Sequence, residues 1–110
     1  MQDGVYTILV MSHGELHGEA ILVVRDGVFN GGNLAYIFSG RCDKQDDSVS
    51  IELWAYEKDR ASIFGGEDRY SGTLQRDEPR SKLAFSGFVD QEPLRPITVE
   101  FIWRSPARTD

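Results

Sequence analysis

The sequence predicts an all-β fold, an antiparallel up-and-down β-barrel of about eight short strands. Apolar and polar residues alternate along residues 48–55 and again along residues 97–104, which places successive side chains on opposite faces of a strand. Between such segments stand short clusters of Gly, Asn and Asp, the residues that favour tight turns. Inward positions of the two clearest strands are Val49, Ile51, Leu53 and Ala55, then Ile97, Val99, Phe101 and Trp103.

The strands are expected, in chain order, at residues 4–12, 18–25, 28–29, 34–41, 48–55, 70–75, 82–89 and 97–104. Residues 13–16 form the first turn, and Asp26 with Gly27 suits a two-residue hairpin because both tolerate positive φ. Residues 30–33, Asn-Gly-Gly-Asn, predict another turn. Residues 57–66 are the one segment expected to hold a short helical turn, with Asp59 as its N-cap.

The chain length and the even spacing of its turn residues predict a single domain over residues 1–110. A closed sheet has no unpaired edge strands to aggregate, which favours a barrel, and a β-sandwich is the alternative. An eight-stranded closed sheet has an interior that side chains just fill, or that holds one small ligand. The fold class therefore leaves both a packed and a ligand-binding interior open.

Composition and charge narrow the functional classes. The formal net charge of −6 disfavours direct nucleic-acid binding, because such binding needs cations that release counterions from phosphate. The apolar run at residues 20–24 is too short to span a membrane, and residues 1–4 lack the features of a secretory signal. Cys42 is the single cysteine, which fits a reducing compartment. We expect a cytoplasmic protein.

No pattern in the sequence predicts an active site, a metal or a cofactor. His13 and His17 lie four residues apart beside Glu15, but Gly14 and Gly18 argue against the helix that such spacing needs. We interpret the segment as an exposed hairpin tip. The glycines of residues 30–33 precede a strand, whereas phosphate-binding loops precede a helix. The protein is therefore expected not to be an enzyme, with an unrecognised acid–base pair as a third hypothesis.

Two strands indicate a homodimer. Residues 35–38 and 99–103 carry apolar side chains on both faces, although a barrel interior uses only one face of each strand. The other face then needs a partner, a second subunit or a covering segment.

The loop before the central strand indicates how a protein partner is bound. It carries three carboxylates, on Asp43, Asp46 and Asp47. An exposed acidic hairpin tip steers toward and docks on a basic protein. The carboxylates predicted to bind the partner are those of Asp43, Asp46 and Asp47.

Several segments of the first half of the chain resemble a known family. They are Asp-Gly-Val-Tyr-Thr-Ile at residues 3–8, Gly-Glu-Ala-Ile-Leu at 18–22 and Asp-Gly-Val-Phe-Asn-Gly-Gly-Asn at 26–33, followed by Tyr36 and Gly40. Together they resemble the negative regulators of type III secretion in attaching-and-effacing enteric bacteria, the locus-of-enterocyte-effacement repressor family. Glycines and aliphatic residues carry most of the likeness.

The resemblance implies a lipocalin-like barrel that dimerises and that sequesters a transcriptional activator without touching DNA. In that family a run of four acidic residues leads into the central strand. Alignment on that strand places Gln45, Asp46, Asp47 and Ser48 there, so the resemblance adds Gln45 and Ser48 to the predicted partner-binding residues. Only two of the four positions keep the charge. Gly4, Val5 and Tyr6 also look like the Gly-x-aromatic opening of lipocalin-type barrels, which carry a small apolar ligand in their interior.

Two leading functions follow. The first is a non-enzymatic, dimeric regulator that binds and sequesters a partner protein. The second is a small-molecule binding protein that uses the barrel interior. A filled interior favours the first, and a cavity with a few convergent polar groups favours the second.

Overall fold

The computed structural model describes residues 1–33, 36–55, 69–78 and 82–106, and within them eight antiparallel strands form one closed barrel. Each strand pairs with its neighbours in the chain, and the last strand pairs back onto the first. The predicted all-β up-and-down barrel is confirmed, whereas the helical turn expected at residues 57–66 lies outside the described residues. The strands are β1 (Gly4–Ser12), β2 (Glu15–Arg25), β3 (Val28–Gly32), β4 (Tyr36–Asp43), β5 (Ser48–Ala55), β6 (Arg69–Arg76), β7 (Ala84–Val89) and β8 (Glu92–Ser105).

Alternation along the strands separates an apolar interior from an outer surface. In β1 every second residue is buried, and the residues between them are half-exposed. The inward positions predicted for Val49, Ile51 and Leu53 are confirmed, since all three are buried. The largest fully buried side chains are Tyr6, Tyr36, Tyr70, Phe29, Phe38, Ile8, Leu22, Ile51, Leu53, Leu74 and Ile97.

Phe101 lies at the centre of an aromatic cluster in this interior. Its ring meets those of Tyr6, Phe29 and Phe85 edge to face, with centroids 6.1, 5.6 and 5.8 Å away. The four residues come from β1, β3, β7 and β8, so the cluster ties opposite sides of the barrel together. Edge-to-face aromatic pairs stabilise by about 0.5–1.5 kcal/mol each beyond the burial of their surface.

Two predicted hairpin turns are confirmed by their backbone angles. His13 and Gly14 have φ of 54° and 78°, and Asp26 and Gly27 have φ of 50° and 77°. Positive φ at both central residues matches the twist of the flanking strands and closes a hairpin within two residues. Because the first turn is that short, β2 begins at Glu15 and is longer than predicted.

The turn predicted at residues 30–33 is wrong over its first three residues, which continue β3. Asn30 pairs with Val23 on one side and with Ser39 on the other. A Cβ at Gly31 would overlap the carbonyl oxygen of Ile21, so this glycine serves a close approach between strands. β3 ends at Gly32, and the side-chain Oδ1 of Asn33 accepts a hydrogen bond from the backbone N–H of Tyr36 at 2.8 Å.

The last strand is also longer than predicted, and it begins at Glu92. Ile97, Val99 and Phe101 are buried as expected, but Trp103 is 41% exposed at the barrel end. Its indole Nε1–H donates to the carbonyl oxygen of Asp3 at 3.2 Å, which fastens the end of β8 to the start of β1. In the described ranges no helix has the length and apolar character needed to cross a bilayer.

Candidate functional site

The β4–β5 turn carries the residues predicted to bind a partner. The Oδ1 atom of Asp43, at the end of β4, accepts hydrogen bonds from the backbone N–H groups of Gln45 and Asp46, at 2.9 and 3.2 Å. An Asp side chain bonded in this way shapes the turn locally. The side chains of Gln45 and Asp46 are exposed, and we call these two residues the loop tip.

Asp47 is held by the barrel, in contrast to the expectation that its side chain projects freely into solvent. Its φ is 53°, in the left-handed region. The backbone N–H of Arg76 donates to its carbonyl oxygen at 3.0 Å, and one of its carboxylate oxygens lies 3.8 Å from a guanidinium nitrogen of Arg76. The predicted loop therefore divides into an anchored end and an exposed tip.

Ser48 belongs to β5 and not to the exposed turn. It pairs with Asp43 of β4 and Gln75 of β6 and is only 6% exposed. Its side chain is therefore poorly placed to touch a partner. Among the five predicted contact residues, Gln45 and Asp46 are exposed at the tip, while Asp43 and Asp47 shape the turn.

Cys42 is half-buried beside the N-terminal residue. Its Sγ lies 3.7 Å from the Sδ atom of Met1. Burial raises the pKa of the Cys42 thiol, while the nearby α-amino group and Lys44 act in the opposite direction. Burial also raises the pKa of Tyr6, whose hydroxyl donates to the carbonyl oxygen of Gln2 at 2.5 Å. Neither group has the lowered pKa of an activated nucleophile.

The segment with the two histidines lies at the β1–β2 hairpin. His13 is exposed in the turn, and His17 is half-exposed on β2. Over the residues that the structure describes, no three His, Cys, Asp or Glu side chains converge as metal ligands would.

The outer surface of β1 and its two neighbours is apolar, and we call it the β1 face. Outward residues of β1 pair with those of β2 and β8, as in the row Ile21, Thr7 and Ile102. Ile21 is 61% exposed, and Val23 beside it is exposed as well. The members of the face are Val5, Thr7, Leu9, Ile21, Val23 and Ile102.

Charges flank the β1 face at its two ends. Leu9 pairs with Glu19 and Glu100, so the end toward the β1 C-terminus is acidic. Toward the other end stands Arg104, whose Nε donates to the Thr7 hydroxyl at 3.0 Å. Apolar strand residues on both faces were predicted from β4 and β8, but the contribution of β1 and β2 was missed. The signal was present in the unbroken apolar run at residues 20–24.

A polar groove runs over the outer surface of β4, β5 and β6, and we call it the β5 groove. Its volume is about 410 Å³, and it opens widely to solvent. Serine and threonine hydroxyls line its floor, and Arg41, Glu52 and Asp90 supply its charges. Sequence reasoning missed this groove, although the alternation of small polar residues in β5 and β6 marks the strand faces that form it. The hydroxyl residues are Ser39, Ser50, Ser71 and Thr73.

The remaining described pockets also lie at the surface or at a barrel end. A pocket of about 60 Å³ adjoins Met1, Cys42 and Arg76, and one of about 120 Å³ adjoins His13 and Pro96.

No protein-family model matches the sequence, and comparison with curated proteins finds no relative.

Proposed function

We propose that this chain is a non-enzymatic, cytoplasmic regulator that binds and sequesters a partner protein through its outer surface. The observation that carries the proposal is the interior, where tyrosine and phenylalanine side chains from all around the barrel are packed together. Cavities that bind small molecules combine empty space with a few convergent polar groups. A packed interior leaves the outer surface for recognition, and it weighs against the small-molecule alternative.

The loop tip supports a basic partner. Gln45 and Asp46 are exposed, and the turn carries three carboxylates against one lysine, Lys44, in a chain whose net charge is already −6. Charges at the edge of an interface steer association more than they hold the complex together. A transcriptional activator is one basic partner of this kind, and it is the partner that the family resemblance implies.

The β1 face supports a homodimer. Its charges are complementary to those of a second copy that is turned by a two-fold axis lying in the interface, perpendicular to the strands. This operation stacks apolar residues on apolar residues and brings Glu100 of each chain toward Arg104 of the other. A two-fold axis along β1 would instead place Glu100 of each chain against Glu19 of the other, which are like charges. Closed two-fold dimers are the commonest protein assemblies, and they need such a self-complementary patch.

Affinity capture from the native cytoplasm tests the proposal. We expect the tagged wild-type chain to retain a partner at fixed stoichiometry, and the variant Gln45→Lys/Asp46→Lys to retain much less. The matched control is His13→Lys/Glu15→Lys, which makes the same change of charge at two exposed residues of the β1–β2 hairpin, at the other end of the barrel from the β4–β5 turn. Native mass spectrometry of the same material addresses the alternative. A small molecule bound at one per chain, with no retained protein, would overturn the regulator proposal.

A further inference from the structure

The β5 groove has the shape of a surface for a protein loop. Small-molecule sites usually enclose most of their ligand. This groove is open along its length, so a small molecule would keep much of its own surface in water. A loop belonging to a folded protein does not depend on the groove alone, because the body that carries it makes further contacts.

The floor of the groove offers polar groups that the barrel leaves unused. In the described part of the chain, the hydroxyls of Ser39, Ser50 and Thr73 make no hydrogen bond to another protein group. Ser50 pairs with Thr73 across the strands, so their side chains stand next to each other. Adjacent cross-strand side chains lie about 4.5–5.5 Å apart, so one polar group of a ligand can contact both hydroxyls.

Two carboxylates flank Ser71 in this floor. Glu52 pairs with Ser71, and the Ser71 hydroxyl donates to Asp90 at 3.3 Å. The same hydroxyl accepts a hydrogen bond from the Gln91 side-chain amide at 3.2 Å. Both carboxylates are exposed and line the groove, and neither forms an ion pair within the residues that are described. An ammonium or guanidinium group placed between Glu52 and Asp90, beside the Gln91 amide, therefore meets negative charge from both sides. Arg41 lies two strands away from Ser71, across β5. Its guanidinium favours a carbonyl or carboxylate oxygen, so it orients the ligand with an acceptor at this end of the groove.

The groove is continuous with the acidic turn. Ser39, Arg41 and Asp43 alternate along β4 and so share its outer face, which leads directly into the turn. A partner that contacts the loop tip can therefore also contact the groove, because both belong to the β4–β5 hairpin.

We propose that the β5 groove receives a loop of the partner protein that places a lysine or arginine side chain between Glu52 and Asp90. This inference rests on the proposed function, since it names the chemistry by which the regulated partner is recognised. The loop lies across the hydroxyls of β5 and β6, with its basic side chain toward Asp90 and an acceptor toward Arg41.

Nuclear magnetic resonance with a short peptide tests the groove. The probe is Ac-Gly-Ser-Arg-Ser-Gly-NH₂, and its control contains norleucine in place of arginine. We expect the arginine peptide to shift the backbone amide signals of Ser50, Glu52, Ser71 and Asp90. The variant Glu52→Gln/Asp90→Asn should bind it about three- to tenfold more weakly, the range expected when two exposed charge pairs are lost. The variant Glu52→Gln alone serves if the double variant does not fold.

The control variant Glu15→Gln/Glu19→Gln removes the same amount of charge from exposed positions of β2. Equal weakening in this control, equal shifts from the norleucine peptide, or shifts confined to other surfaces would each overturn the groove proposal. The capture experiment separates the two proposals. If wild type and Glu52→Gln/Asp90→Asn retain the partner equally, the regulator proposal stands and the groove proposal falls. If wild type retains no partner, the regulator proposal falls and the peptide titration alone decides on the groove.

Discussion

Substitutions at Asp46 and Asp47 should separate docking from folding, although the two residues are neighbours in one turn. Asp47 has φ of 53° and contacts Arg76, whereas Asp46 is exposed. An Ala at position 47 must adopt a left-handed backbone, which costs about 1 kcal/mol. It also loses a half-exposed ion pair with a value of about 0.5 kcal/mol. Asp47→Asn loses only the ion pair, because Asn tolerates the left-handed region nearly as well as Asp does.

The unfolding temperature reports these terms directly. For a domain of this size, 1 kcal/mol corresponds to about 4 °C, so Asp47→Ala should lower Tm by about 6 °C and Asp47→Asn by about 2 °C. Asp46→Ala should change the free energy of unfolding by no more than about 0.5 kcal/mol. Circular dichroism melts in 0.02 and 0.5 M NaCl distinguish the two causes, since salt screens the ion pair and leaves the backbone cost unchanged.

Equal melting temperatures of Asp47→Ala and Asp46→Ala would contradict the anchoring of Asp47. An Asp47→Asn variant as unstable as Asp47→Ala would contradict the backbone cost. Partner binding gives the second readout. Asp46→Ala should slow association and reduce its dependence on salt, while its Tm stays at the wild-type value.

Three further predictions concern the core, the thiol and the β1 face. Gly40→Ala should destabilise by about 1–3 kcal/mol in urea denaturation, because its Cβ would overlap both the Ser50 carbonyl oxygen and the Phe29 ring. Phe29→Ala removes only the second overlap, so Phe29→Ala/Gly40→Ala should be less unstable than the sum of the single variants, and additivity would contradict the part assigned to Phe29. Cys42 should react with Ellman's reagent at pH 8 more slowly than glutathione does, because burial raises the pKa of its thiol and lowers the thiolate fraction. Unfolding the chain in guanidinium should abolish the difference in rate. Sedimentation equilibrium at micromolar concentration should give twice the 12.4 kDa chain mass. Glu100→Arg should abolish the dimer, and Glu100→Arg/Arg104→Glu should restore it, because the exchange recovers the opposite charges. A monomeric wild type would refute the dimer.

Much of the barrel could be predicted from the sequence because strand alternation is a local signal. The strand at Ser48–Ala55 agrees with its predicted range, and its apolar side chains alternate without interruption. The start of β8 was missed because Pro96 interrupts the pattern close to a change of register between Phe88 and Val89. Gly31 was assigned to a turn because a sequence does not distinguish a glycine needed for close approach from one needed for positive φ.

The candidate site was less predictable, since its properties depend on contacts between distant residues. The turn at residues 44–47 agrees with the predicted loop. The contact of Asp47 with Arg76, however, is not predicted by any residue near Asp47 in the sequence. The β5 groove combines residues from β4, β5, β6 and the turn after β7, and each of these looks like an ordinary polar surface position alone. Only the register of the strands brings them together.

The seam between β1 and β8 has a consequence for how this chain folds. The other strand pairs join neighbours in the chain, but this one brings Trp103 to Asp3 and Arg104 to Thr7, residues separated by 100 and 97 positions. Hairpins form quickly because their loops are short, whereas a contact of such high sequence separation must first overcome a large loss of chain entropy. Closure of the seam should therefore come late in the folding pathway. Until the β1–β8 seam closes, β1 and β8 each expose an unpaired edge. Two chains can then exchange a terminal strand, and this exchange competes with closure of each barrel by itself.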